Sequence, residues 1–217
     1  VHVVSASIFV VVCAFRSFFV RVDLERVVLV DHWLSSIVLG RSAATLAEMA
    51  FTVQCAWVVA GLGATVPVPW LQPVALALVP LIGVAQACCW LGVLTGNHLW
   101  HAAEELLWGV MMVLLAAIIV AGWPHADTAH RLVMPLAMFG CASGAFVMLA
   151  VDVPMYIRRW RVESAGGTRF LGIVEGFLDA LRRREPTGSW HTWKHEVAWM
   201  TPYFTGGVWL SLAMVYL

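Results

Sequence analysis

The sequence predicts an all-α fold: a polytopic membrane helix bundle of about six transmembrane helices with an amphipathic helix on its inner side. Three observations predict it. Of 217 residues, 61% are hydrophobic and 12% charged, whereas a soluble domain carries roughly a quarter charged residues; the mean hydropathy is +0.84. The apolar residues fall in continuous runs of about 20, the length that crosses a bilayer as a helix, and not in the alternation of a β-barrel. The basic residues gather in two segments, as cytoplasmic loops do. Residues 1–217 therefore read as a single integral membrane domain, without the basic patch that nucleic acid binding needs.

The first span runs from about Val3 to Val20 and contains Arg16. It ends in arginines and not at a small-residue cleavage site, so it reads as a span rather than a signal peptide; if it lies at the interface instead, five spans remain. A charged amphipathic stretch follows from Asp23 to Arg41. The second span covers about Ser42–Leu62, and Pro67, Pro69 and Pro73 mark the turn after it. The third covers about Val74–Leu94, the fourth about His98–Gly122, the fifth about Leu132–Val153 and the last about Val197–Leu217. Between the last two, Phe170–Arg184 has helical spacing of apolar residues and reads as an interfacial helix. Trp70, Trp100, Trp123, Trp160 and Trp190 sit near span ends, the usual aromatic belt. Cys13, Cys55, Cys88, Cys89 and Cys141 all fall inside apolar runs and read as small buried residues.

Lys and Arg set the orientation. Arg16, Arg21, Arg26 and Arg41 lie between the first two spans, and eight more, from Arg158 to Lys194, lie between the last two. Only Arg131 falls on the other side. The arginine-rich loops are then cytoplasmic, or face a matrix, and both termini point outward if the first span crosses the membrane.

Polar residues inside the spans carry the functional reading. An acid at the bilayer centre costs roughly 2.5–3.5 kcal/mol on insertion scales. Glu48 enters the second span from the inner side. His98, His101, Glu104 and Glu105 open the fourth, Asp152 closes the fifth, and His191, His195 and Glu196 open the last. The topology brings all of them to the inner leaflet. His101 and Glu105 are four apart and share a helix face, His101 and Glu104 are three apart, and His191 and His195 are again four apart. A mixed imidazole and carboxylate shell suits zinc, iron or manganese. Each residue also has a plainer reading. Glu48 can bond Thr52 or Gln54 or pair with an arginine. Glu104 and Glu105 can reach water, Asp152 can face Arg158 or Arg159, and the last-span histidines can snorkel to the interface.

Two resemblances add expectations. Ala47–Trp57, with Glu48, Phe51 and Trp57, and Glu196–Trp209, which reads EVAWMTPYFTGGVW, resemble two helices of cytochrome c oxidase subunit III. The resemblance implies a non-catalytic oxidase subunit with a lipid-holding cleft and Glu48 as its buried acid; the His-Gly-x-His of that family is absent. His191-x-x-x-His195 resembles the last-helix motif of alkaline-ceramidase-type membrane hydrolases, which implies zinc, although their upstream Ser-x-x-x-His is absent.

The leading expectation is a membrane enzyme, hydrolase or oxidoreductase, with a divalent metal on Glu48, His101, Glu105 and His195. Glu104 or Glu196 serves as acid/base, His98, Asp152 and His191 are further candidates, and a lipid-like molecule is the substrate. The alternatives are a subunit of a larger membrane complex, with other subunits as partners, and a proton or ion pathway lined by the same acids.

Overall fold

The computed structural model describes residues 1–216, apart from the side chains of Thr65, Ala129, His130, His195 and Ala198. The fold is all-α. Helix α1 is His2–Phe18, α2 Ile37–Thr65, α3 Leu71–Thr95 and α4 His98–Gly122. Helix α5, Thr128–Phe146, runs through a π-turn, Val147–Asp152, into α6, Val153–Ala165. Helix α7 is Ile173–Arg182. Helix α8, Trp190–Pro202, runs through a second π-turn, Tyr203–Gly207, into α9, Val208–Ala213.

Four stretches among the described residues are helical, long and apolar enough to cross a membrane: Ile37–Ala64, Leu71–Thr95, His98–His125 and Arg131–Ala165. They match the second to fifth expected spans. At 17 residues, α1 rises about 26 Å, short of a 30 Å hydrocarbon core.

Three details differ from the sequence reading. The stretch after α1 is not one amphipathic element. Arg21–Val22 (β1) pairs antiparallel with Val27–Val28 (β2), which pairs in parallel with Glu185–Pro186 (β3). Two-residue strands have no periodicity to read. Second, α2 begins at Ile37, so Arg41 is inside the helix and buried, not in the loop. Glu48, two turns on, supplies the countercharge that permits this. Third, the fifth span continues to Ala165 and carries Arg158, Arg159 and Arg161 as helical residues. Proline clashes with the carbonyl four residues back; the π-turn widens the helix just before Pro154 and removes that clash.

The residues group into two units. One comprises Val1–Phe51, Trp90–Gly96 and Phe170–Tyr216; the other comprises Thr52–Cys89 and Asn97–Arg169. In the first, Phe9, Val12, Cys13 and Ala47 form a core against Phe51, Tyr203, Phe204 and Val208. Arg26, with φ 56°, holds its loop in a left-handed turn. Its guanidinium donates to the carbonyls of Asp23, Leu24 and Val93 and to Asp179 Oδ2. In the second unit, α4 packs on α5, on the first π-turn and on α6. Gly109 lets Leu149 of that π-turn approach so closely that a Cβ would collide with it.

Candidate metal centre

The site belongs to the second unit and begins at a helix start. Asn97 caps α4, its Oδ1 accepting from Leu99 N–H at 3.0 Å. Capping of this kind satisfies an orphan amide and sets the phase of the helix. His98, His101 and Glu104 then fall at spacings of three on one face, and all three are buried. Only Gly96, with φ 70°, and Asn97 separate α3 from α4. The short link folds α3 back, and Cys89 comes to the level of His101.

Cys89 Sγ, a ring nitrogen of His101 and a carboxylate oxygen of Glu104 lie within 4.8 Å of one another, and all three residues are buried. His101 Nδ1 is 3.0 Å from Glu104 Oε2. His101 Nε2 is buried without a hydrogen-bond partner. In the tautomer with a proton on Nδ1, the ring donates to the carboxylate and Nε2 presents a lone pair. Tyr156 of α6 stacks on His101 at 5.3 Å between ring centroids and lies 5.9 Å from His98. His98 Nδ1 in turn is 2.7 Å from Glu163 Oε2. Thiolate, imidazole and carboxylate within reach of one ion are the donor set of a three-ligand site, so the residues present fit a transition metal.

The other expected residues fall elsewhere. Glu105 follows Glu104 and is half-buried, as is Asp152 at the end of the π-turn; the carboxylate bonded to His101 is Glu104. Glu48 belongs to the first unit, where it is held by cations. Arg41 Nη2 donates to its Oε2 at 2.8 Å, the Tyr203 hydroxyl donates to its Oε1 at 3.2 Å, and Arg16 Nη1 lies 3.9 Å away. The Arg16 guanidinium also sits over the rings of Tyr203 and Phe204. Nearby in β1, burial pushes the Arg21 guanidinium down to about 10; Asp23 opposes this, and Arg16 and Arg41 add to it. His191 is exposed in the first turn of α8. The side chain of His195 lies outside the described residues. Glu196 Oε2 accepts from Trp199 Nε1 at 2.7 Å in the same helix.

Sequence reasoning missed Cys89, Tyr156 and Glu163. No symmetric spacing marks Cys89: it precedes Gly96 by seven residues, whereas His101 follows Asn97 by four. Tyr156 and Glu163 have no signal either, because the polar, arginine-rich stretch after the fifth span reads as a loop. Comparison with protein-family models, with curated proteins and with solved structures returns no match.

Proposed function

We propose that this chain is a membrane enzyme that uses one divalent transition metal on Cys89, His101 and Glu104 to act on a lipid-like substrate. The observation that carries the reading is the buried trio itself; His101 Nε2, in addition, has no hydrogen-bond partner. A thiol among the donors favours zinc, and iron after it, over manganese, which prefers oxygen ligands. Three protein ligands leave a fourth position open, as catalytic zinc sites do. A metal bound there would supply Lewis acidity and acidify a bound water.

The protein's own groups have separate tasks. Tyr156, stacked on the ring, fixes the plane of the His101 imidazole. Glu105, half-buried and next to Glu104 in α4, is the candidate acid/base. A substrate arriving through apolar helices is lipid-like, and the exposed Arg158, Arg159 and Arg161 on the helix of Tyr156 suit an anionic headgroup.

Elemental analysis of the detergent-purified chain tests the metal. One ion per chain is expected, lost in Cys89→Ser and in His101→Ala while the helical circular dichroism is kept. A folded, metal-free wild type overturns the reading. Mass spectrometry of a mixed membrane-lipid extract incubated with the metal-loaded protein tests the chemistry; no altered lipid relative to Cys89→Ser removes the enzyme.

A second reading, a non-catalytic subunit of a larger membrane complex, draws support from Glu48, whose carboxylate is committed to Arg41, Tyr203 and Arg16 and has the character of a structural lock. Co-purification from native membranes at fixed stoichiometry, without metal, would favour it.

A further inference from the structure

Helix α7 is the feature of the first unit that the proposed chemistry does not use. Its 10 residues rise about 15 Å, too short to cross a bilayer. Its two sides differ. One is clamped to the protein: Gly176 and Ala180 are buried, and Gly176 meets the Leu94 carbonyl so closely that a Cβ would overlap it. On the same side Asp179 Oδ2 accepts from Arg26 Nε at 3.0 Å, and just ahead of the helix Leu171 N–H donates to the Thr95 carbonyl at 3.0 Å. The other side carries Ile173, Val174, Phe177, Leu178 and Leu181, each at least 40% exposed. Five large apolar side chains on so short a helix are not a solvated face.

The charge around this face names its occupant. Arg182, Arg183 and Arg184 close the helix. Arg182 is exposed and forms no ion pair among the described residues. Arg183 holds only the exposed Glu185, at 2.6 Å, a kind of surface pair worth little and readily exchanged. Arg184 is tied back, donating to the His32 carbonyl at 2.8 Å. The same unit exposes Trp33 and Trp190, each at 67%, and tryptophan is the residue enriched at headgroup level. An apolar helix face ending in arginines, in a chain with four helical stretches long and apolar enough to cross a membrane, matches an anionic lipid leaflet.

We propose that α7 is an interfacial ledge, its Val174–Phe177–Leu181 face sunk into the headgroup–acyl boundary and Arg182 and Arg183 holding anionic lipid phosphates. The ledge is independent of any metal at Cys89, His101 and Glu104.

All five native cysteines are buried, so a Val174→Cys variant can be labelled selectively with an environment-sensitive fluorophore. The full chain is placed in nanodiscs of phosphatidylcholine mixed with phosphatidylglycerol, one of the two carrying a nitroxide near the headgroup. Quenching is expected from both, and more strongly from labelled phosphatidylglycerol, with a preference of about fivefold per arginine. Free inorganic phosphate should not reduce it. Arg182→Glu with Arg183→Glu should abolish the preference and keep the quenching. A fluorophore quenched by aqueous iodide and not by lipid nitroxide, at position 174 and again at Phe177→Cys, overturns the ledge. Equal quenching by the two lipids, or loss of the preference with free phosphate, overturns its anionic selectivity.

Discussion

Glu48 and His101 are both buried polar residues in apolar helices, and their surroundings treat them in opposite ways. The Glu48 carboxylate has two guanidiniums and a hydroxyl around it, which is what a buried charge requires. Removing it would strand Arg16 and Arg41 in a low-dielectric setting. Glu48→Ala should therefore destabilise the fold by about 3–5 kcal/mol, read as a lower unfolding midpoint in detergent, and Glu48→Gln, which keeps its hydrogen-bonding shape, should cost less. His101 instead has one satisfied nitrogen and one left over. Changing it should cost metal: His101→Ala is expected to lose bound zinc by elemental analysis. It also removes the Glu104 contact and the Tyr156 stacking, so the metal-free unfolding midpoint should fall too. Of the Glu48 partners, an arginine was readable as a class, although Arg41 itself reads as part of the loop before the second span. Tyr203 was not, because nothing local marks a tyrosine in the last helix as facing a glutamate in the second.

At the scale of elements, close approach at glycine decides where helices are pinned. Gly176 sets α7 against the Leu94 carbonyl, and a backbone atom cannot swing aside as a side chain can. Gly176→Ala should lift α7 from its seat, costing about 1–3 kcal/mol as overpacking does. Hydrogen exchange of the α7 amides should accelerate while that of α4 is unchanged. Gly109 faces the side chain of Leu149, which can shift where a backbone carbonyl cannot, so Gly109→Ala should cost less, as a smaller shift in unfolding midpoint. The helix boundaries were legible where capping or a break is local: Asn97 before α4, Gly96 after α3. The continuation of α5 through Pro154 was not, because the chain turns polar and arginine-rich just after that proline, and a π-turn ahead of it has no local signature. That one misreading hid Tyr156 and Glu163, since residues assigned to a loop carry no helical phase.

For the molecule as a whole, the metal reading has a thermodynamic consequence. A ligand that binds only the folded state stabilises it by mass action, about 2.7 kcal/mol at a hundredfold excess over Kd. Zinc should raise the unfolding midpoint of the wild-type chain, chelation should reverse the rise, and Cys89→Ser should not respond. The two units each hold a buried polar cluster of their own: Glu48 with its arginines in one, Cys89 with His101 and Glu104 in the other. From the sequence all these acids and histidines formed a single set, because a shared leaflet was the only coordinate at hand. Depth along a membrane normal says which residues can meet, not which do.

The all-α class, the four long apolar helices and the polar start of α4 were written in the chain, because length, apolar run and capping are properties of neighbouring residues. So was the amphipathic character of α7. The partners came from tertiary structure. Whether Glu48 answers to a metal or to Arg16 and Arg41, whether Cys89 is filler or ligand, and which face of α7 is left for lipid all depend on side chains meeting across elements. Helical spacing gives a residue its angle on its own helix; only packing chooses what stands opposite.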